Sequence, residues 1–475
     1  MQWAQPALDI DDINNMDQRG VRWGAYVHVP FCVTRCGYCD FNTYAGLGRL
    51  VPHYFGALMR EIELYKGECA SGAGGHAAFD TAFDMAFDTA FVGGGTPSSL
   101  EPGLVCAALG ALGALGALGA GQATRAGRAG RAGRAGRAGE AERECGSGGS
   151  DGSGGSGSGS DTDSDSGSSS GSGSGSGYGS GFWECTIEAN PGTISTEKLE
   201  AWRGAGVNRL SLGLQSTHER HLRMLGRRHS FDDFRECVRG ARRAGFDNIS
   251  ADLIFGLPGQ TAAEWEQTLG RVLDEGLRHL SCYSLSLEEG TPLAKAVEAG
   301  ELPAPDEDAD REMYHCARHM LASAGMPQYE LSNFAQPGFE CRHNLKYWTG
   351  APYRGFGAGA ASFDGARRFA NARGVEEYIR LMGGSTGSEG AVVEREAIGP
   401  EEAEKEYVIL RLRLTEGLQT DDYLRRFGAP FEARHAKALE KLVGEGLLAH
   451  SRESSRVALT PKGMDMANRV FASFI

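Results

Sequence analysis

The chain lacks most of what would tie it to a membrane or to nucleic acid. No apolar run approaches the roughly 20 residues that a bilayer-spanning helix needs. The opening MQWAQPALDIDDINNMDQRG carries acids where a secretory leader has a basic end and an apolar core. Basic residues are outnumbered, with 48 Lys and Arg against 62 Asp and Glu. The net charge of −14 makes the surface repel nucleic acid and anionic lipid. The expectation is therefore no nucleic-acid partner, at most peripheral membrane contact, and a cytoplasmic location. A second CxxC pair is also missing, so a paired-ligand zinc site has no other half.

What the chain does have is a dense cysteine stretch, YVHVPFCVTRCGYCDFNTY, from Tyr26 to Tyr44. Cys32, Cys36 and Cys39 form a CxxxCxxC array. Three thiolates on one short loop can hold three irons of a 4Fe–4S cube. The fourth iron then has no protein ligand nearby and can chelate the amino and carboxylate groups of S-adenosylmethionine (SAM). The reduced cluster can pass an electron into the sulfonium and release a carbon radical, chemistry that belongs to the cofactor. Ala25 to Val29 reads as a buried strand that delivers the loop to a barrel mouth. Tyr38, beside Cys39, is placed to pack near an adenine. A disulfide reading needs an oxidising compartment, which this chain of eleven cysteines does not suggest. The other eight cysteines are scattered singly and read as small buried hydrophobes. The array, preceded by a strand and followed by Asp40 and Phe41, resembles the radical SAM superfamily.

Strands alternate with helices along most of the chain. Six strands are predicted: Gly24–Val29, Phe87–Val92, Trp183–Glu188, Asn208–Leu214, Asn248–Phe255 and His279–Leu287. The helices between them include Val51–Tyr65, Thr196–Ala205, His218–Leu225, Phe231–Ala244 and Ala263–Glu275. A helix is also expected at the start of Leu104 to Leu118, where ALG repeats put Gly at every third position. From about Gln122 to Gly181 a run of RAG repeats passes into a Ser/Gly/Asp tract, read as a disordered insertion. The expected organisation is an extension over 1–20 and a core over 21–300 interrupted by 122–181. A linking region over 301–400 and a small domain over 401–475 follow. Alternating βα units imply an α/β fold with a parallel sheet, whose ligands gather at the carboxyl ends of the strands. Six such units resemble the partial (β/α)6 barrel of radical SAM enzymes.

The unusual motifs fall at those strand ends. Gly93, Gly94 and Gly95 would bring backbone close to the SAM amino group, with Thr96 adding a hydroxyl. Glu188 would accept hydrogen bonds from a ribose, Gln215 and Asp252 would face the barrel interior, and Arg227 would pair with a carboxylate. VHVPFC, GGGTPSSL, EANPG, SLGLQS and DLIFGLPGQT together resemble the oxygen-independent coproporphyrinogen dehydrogenase group of radical SAM proteins. That resemblance implies Cys32, Cys36 and Cys39 as cluster ligands. It also implies SAM contacts from Tyr26, Gly94, Gly95, Thr96, Glu188, Gln215, Arg227 and Asp252.

Two features select a branch within that group. The true dehydrogenases carry a fourth cysteine two residues after the third, and this chain has Phe41 there. Decarboxylation of coproporphyrinogen is therefore not expected, although it stands as the alternative function. The segment Cys341 to Trp348, CRHNLKYW, contains the HNxxYW signature of the HemW-type heme chaperones. The resemblance implies a protein that binds heme and passes it to an acceptor protein. His343 would supply an imidazole to iron. Asn344, Tyr347 and Trp348 would line the macrocycle, with Cys341 as a second candidate partner. Read from the residues alone, the segment is better taken as a loop in which His343 and Asn344 satisfy backbone groups while Tyr347 and Trp348 fill the core, a reading that the resemblance reverses. Gly355 to Ser362 is expected to be a Gly-rich turn able to cradle propionates.

The C-terminal region reads as helices Glu402–Leu414, Thr420–Phe427 and Phe431–Glu445, a hairpin over Leu447–Leu459, and a last helix from Pro461 to Val470. This pattern resembles a winged-helix domain. Asp421, Asp422, Glu440 and Glu445 offset its basic residues, which favours a lid or docking role over an oxygen-sensing regulator bound to DNA.

Overall fold

The computed structural model describes residues 22–71, 87–113 and 184–475. The expected N-terminal extension and the low-complexity insertion over 122–181 lie outside the described residues. The frame is one sheet of eleven strands. β1 (Trp23–Val29), β2 (Phe87–Gly94), β3 (Glu184–Ala189), β4 (Arg209–Gln215), β5 (Asn248–Phe255) and β6 (His279–Ser284) lie side by side in chain order, all parallel. These are the six strands expected from the alternating pattern. β6 stops at Ser284 rather than Leu287 because the chain turns toward Thr291, whose side chain caps the helix Pro292–Glu298.

Strand β4 shows how the sequence builds the barrel wall. Its seven residues, RLSLGLQ, are all buried. Leu210, Leu212 and Leu214 enter the hydrophobic core, while Arg209, Ser211, Gly213 and Gln215 line the interior cavity. The period of two puts the two sets on opposite faces. Helices cover the outer face, and two of them begin at reciprocal caps. Ser230 and Asp233 start Phe231–Arg243, and Thr261 and Glu264 start Ala262–Leu273.

Five further strands of the sheet are not legible as strands in the sequence. β7 (Asn333–Ala335) pairs antiparallel with β6. β8 (Tyr353–Phe356) adds parallel to the other side of β1. β9 (Ala361–Phe363), β10 (Arg367–Asn371) and β11 (Val392–Ala397) continue antiparallel from it. The expected Gly-rich turn over Gly355–Ser362 is half strand, with the turn confined to 357–360. Two residues disguise β8. Arg354 is buried there, donating to the Ser388 carbonyl at 3.1 Å and lying 3.7 Å from the buried Glu61 carboxylate. Gly355 is required because a Cβ would run into the Ala361 carbonyl.

The C-terminal region has its own core, including Val408, Leu412, Tyr423, Leu442, Val457 and Val470. Helices Pro400–Arg413 and Thr420–Phe427 pack with a three-stranded antiparallel sheet of β12 (Leu418–Gln419), β13 (Leu448–Ser451) and β14 (Arg456–Leu459). The arrangement is winged-helix-like. Two expected helices are broken. Phe431–Glu445 divides into Phe431–Arg434 and Ala436–Gly444 at His435, and the last helix divides at Met466. At both breaks the backbone leaves helical geometry, with φ of −112° and −118°.

Candidate cofactor site

The carboxyl ends of the parallel strands open into a cavity of about 980 Å³, near the top of the roughly 300–1,000 Å³ usual for cofactor sites. Cys32, Cys36 and Cys39 sit on the loop after β1, partly exposed at its mouth and free of disulfides. Thr96 Oγ1 donates to Cys32 Sγ at 3.6 Å, and Arg227 donates to Cys36 Sγ at 3.4 Å. Thr43 Oγ1 lies 4.0 Å from Cys39 Sγ. Burial pushes the Cys32 thiol up, and the Thr96 and Thr43 hydroxyls pull against that. Among the described residues no three His, Cys, Asp or Glu side chains gather to hold one metal ion. A cluster asks for a different donor set, because each thiolate binds its own iron. Three free cysteines on one loop, two of them receiving hydrogen bonds, fit that demand.

The loop after β2 packs against the base of the cysteine loop. Gly95 N–H donates to the Val29 carbonyl and Thr96 N–H to the Phe31 carbonyl, both at 2.8 Å. A Cβ at Gly95 would lie 2.6 Å from the Phe31 carbonyl oxygen, so only glycine permits this approach. Gly94, at φ +108°, donates its N–H to Glu188 Oε2 at 3.0 Å. Burial pushes the Glu188 carboxyl up to about 7, with the nearby Asp252 carboxylate adding to the shift. Gln215 is a non-glycine residue at φ 70°, where the pairing of β4 with β5 slips by one residue. Such strain persists only where surrounding structure enforces it, and here it falls at the cavity wall.

Arg227 also donates to Asn190 Oδ1 at 2.8 Å and to the Gly213 carbonyl. Asn190 in turn donates to Thr96 Oγ1 at 3.1 Å, so one short network joins the ends of β2, β3 and β4. Asp252 accepts from Ser211 Oγ at 3.2 Å. The Tyr26 hydroxyl bonds His28 Nδ1 at 2.9 Å. Tyr26, Gly94, Gly95, Thr96, Glu188, Gln215, Arg227 and Asp252 all line the one cavity, as does Tyr38.

The HNLKYW segment is not a loop. It forms the helix Arg342–Thr349 and approaches the barrel at the amino-terminal ends of the strands. Glu184, the first residue of β3, accepts from the Arg342 and His343 N–H groups, each at 2.9 Å, and so caps the helix. Buried Lys346 pairs with Asp88 of β2 at 2.7 Å and donates to the Arg22 carbonyl at 2.9 Å. The cysteine loop and this helix thus stand at opposite ends of the same cavity.

His343, Asn344 and Tyr347 face the cavity from that lower end. Both ring nitrogens of His343 are engaged, Nδ1 with Thr89 Oγ1 and Nε2 with the Tyr347 hydroxyl, each at 3.0 Å. Its ring stacks on Phe91 at 5.3 Å. Burial, with Lys346 and Arg209 nearby, pushes its pKa down to about 3, so the imidazole is neutral. A neutral imidazole is the form that binds metal. Two residues of the segment stand elsewhere. Trp348 does not line the cavity: it packs with Tyr329, Leu345 and Leu414, and the Arg413 guanidinium lies 4.3 Å from its ring centroid. Cys341 is fully buried, and its Sγ lies 3.5 Å from Glu184.

Sequence reasoning missed three contributors: Asn190 in the arginine network, Glu184 as the cap, and Arg209 in the cavity wall. The signal for Arg209 is present in the polar series Arg209, Ser211, Gly213, Gln215, which alternates with leucines.

The chain matches the Radical SAM superfamily over residues 169–272 and the HemN C-terminal domain over residues 398–466. It is 31% identical to the heme chaperone HemW of Bacillus subtilis (strain 168), over 95% of this chain and 98% of that one. It is 32% identical to the heme chaperone HemW of Mycobacterium tuberculosis (strain CDC 1551 / Oshkosh), over 96% of this chain and 95% of that one. Among solved structures it is similar to coproporphyrinogen III oxidase (HemN) from Escherichia coli, a radical SAM enzyme. There the TM-score is 0.68 at 19% identity, covering 96% of this chain and 90% of that one. That likeness speaks for the fold, an α/β partial barrel of the radical SAM kind with a small C-terminal domain. The sequence relatives extend over nearly the full length of both chains, and the protein belongs to the HemW family of the radical SAM superfamily.

Proposed function

We propose that the protein is a heme chaperone that holds heme together with a SAM-ligated 4Fe–4S cluster and hands the heme to an acceptor protein. The observation that carries this reading is one cavity lined at its mouth by the three cysteines and at its far end by His343, Asn344 and Tyr347. In this reading Cys32, Cys36 and Cys39 hold the cluster. Gly94, Gly95 and Thr96 receive the amino-acid end of SAM, Arg227 attracts its carboxylate, and Glu188 accepts from its ribose. Tyr26, Gln215 and Asp252 complete the polar wall. When bound, the cluster and SAM supply one-electron chemistry at the sulfonium.

His343 is the candidate iron ligand, and its Nε2, now bonded to the Tyr347 hydroxyl at 3.0 Å, is the nitrogen it would offer to iron. Family membership supports heme as the ligand, and the acidic chain supports a partner other than nucleic acid. No described helix is long and apolar enough to cross a membrane, and a cytoplasmic setting suits the free thiols.

The second reading is oxygen-independent decarboxylation of coproporphyrinogen, favoured by the likeness in fold to HemN. Against it, Phe41 occupies the position of the dehydrogenases' fourth cysteine and stands 65% exposed at the cavity mouth. Heme titration of the reconstituted protein, run beside a coproporphyrinogen turnover assay, separates the two. The chaperone reading expects saturable heme binding near one per chain, a Soret band that shifts in His343→Ala, and no steady decarboxylation. Sustained turnover would overturn it. An unchanged Soret band and affinity in His343→Ala would remove His343 as the ligand.

A further inference from the structure

Arg209 is the first residue of β4, 2% exposed, and lines the cavity. Among the described residues its guanidinium makes no hydrogen bond and no ion pair, and its buried Nε has no partner. The carboxylates near it are committed elsewhere. Glu184 caps the helix Arg342–Thr349, Asp252 accepts from Ser211, and Glu188 accepts from Gly94. A buried arginine with five donors and no acceptor is costly unless something supplies the acceptor.

Its place at the start of β4 separates it from the SAM-assigned residues at the cavity mouth, though its charge still acts on Glu188 and Asp252. Gln215 closes β4 at the cavity mouth and Arg209 opens the strand six residues earlier. At about 3.3 Å per residue the two stand roughly 20 Å apart. Of the other arginines that line the cavity, Arg227 is bonded to Cys36 at the cysteine loop, and Arg35 and Arg228 lie on the segments around it. The cavity therefore has an arginine near each end, and the lower one is unpaired beside His343.

We infer that Arg209 binds a carboxylate of the ligand that fills the lower part of the cavity, through paired N–H donors of its guanidinium. A planar fork of donors matches a carboxylate better than a neutral oxygen. Two ligands of the proposed function carry carboxylates, the porphyrin through its propionates and SAM through its amino-acid end. The depth of Arg209 favours a propionate. The inference rests on the proposed function for the identity of the ligand, while the arginine itself is a feature of this chain.

The test couples the side chain to the ligand group. Affinities of reconstituted full-length protein are measured for iron protoporphyrin and its dimethyl ester, and for SAM and its decarboxylated analogue. Wild type, Arg209→Gln and Arg209→Lys are compared. Blocking the carboxylate that Arg209 holds should weaken wild-type binding about tenfold or more, the scale of a charged hydrogen bond. The same change should cost Arg209→Gln less than threefold. Arg209→Lys keeps the charge but loses the fork, and should fall between the two; it serves if the glutamine variant does not fold. Coupling in the porphyrin arm identifies a propionate, and coupling in the SAM arm identifies the amino acid. Equal losses in wild type and variants in both arms would overturn the inference, because an arginine that only balances Glu184 and Asp252 would show that pattern. Wild type that binds SAM but not heme would sink the proposed function and leave the SAM arm to decide. Binding of neither would sink both.

Discussion

Replacing Glu188 by Gln should remove a pH dependence that the barrel otherwise carries. The unfolded side chain titrates near 4.5, and burial beside Asp252 moves the folded value up to about 7. Between those values the folded state holds a proton that the unfolded state has released, so stability falls as pH rises. The loss begins above pH 4.5 and is complete once pH has passed through about 7. At about 1.4 kcal/mol for each pH unit separating the two values, the ceiling is roughly 3 kcal/mol. Glu188 is half-buried and opens on the cavity, where water softens the penalty. The expected loss is therefore about 1–3 kcal/mol. Gln keeps an oxygen for the Gly94 N–H, so the fold has no other reason to change. Urea unfolding of ligand-free protein at pH 5 and pH 8 reads the difference. Wild type should lose that much more than Glu188→Gln on going to pH 8. Binding supplies a second readout, because ribose hydroxyls donate best to the ionised form: SAM affinity should rise from pH 6 to pH 8 in wild type and stay level in the variant. The same pH slope in both proteins would refute the assignment of the shift to Glu188.

Cys32→Ala, Cys36→Ala or Cys39→Ala should each reduce iron from about four per chain toward none and abolish the broad visible absorption, while Cys341→Ala should leave both intact. Gly95→Ala should yield little cluster-competent protein, because its Cβ would press on the Phe31 and Val29 carbonyls at 2.6 and 2.7 Å; overpacking of this kind costs about 1–3 kcal/mol or more, and normal iron content would show that the loop can move. Trp348→Ala should leave the heme spectrum unchanged but lower stability by about 2–4 kcal/mol, since the ring packs with Arg413 and Leu414 and not in the cavity. A shifted Soret band in that variant would place the indole against the porphyrin after all.

The barrel was legible because its signals are local. Five of the six apolar runs carry CxxxCxxC, GGGTP, EANPG, SLGLQS or GLPG at their ends, which mark where strands stop and ligands are met. The three cysteines and the residues read as SAM contacts from Gly94 to Asp252 lie in the cavity wall, whereas Gly93 and the GLPG turn do not line it. What failed was long-range. β8 hides behind Arg354 and Gly355, whose fitness for a strand depends on Glu61 and on the Ala361 carbonyl. The helix Arg342–Thr349 looked like a loop because its cap, Glu184, lies more than 150 residues upstream. Periodicity places Tyr347 and Trp348 side by side in sequence, but on a helix neighbours diverge by about 100°. One therefore reaches the cavity and the other the C-terminal region.

The position of that helix changes what the cysteine loop and the HNxxYW segment mean together. Had both stood at the carboxyl ends of the strands, they would compete for one small site. Instead the helix is fastened from below by Asp88, Thr89 and Glu184, three residues at the starts of β2 and β3. The buried Lys346–Asp88 pair is weak evidence for stability, since desolvation offsets its attraction. Removing either partner would nonetheless leave an uncompensated buried charge beneath the cavity. The fastening therefore fixes the orientation of His343, Asn344 and Tyr347 relative to the strands, and so relative to the cysteines at the other end. A ligand in contact with both ends must lie along the barrel axis, and Arg209 is the one cation in that lower wall left free to meet it among the described residues.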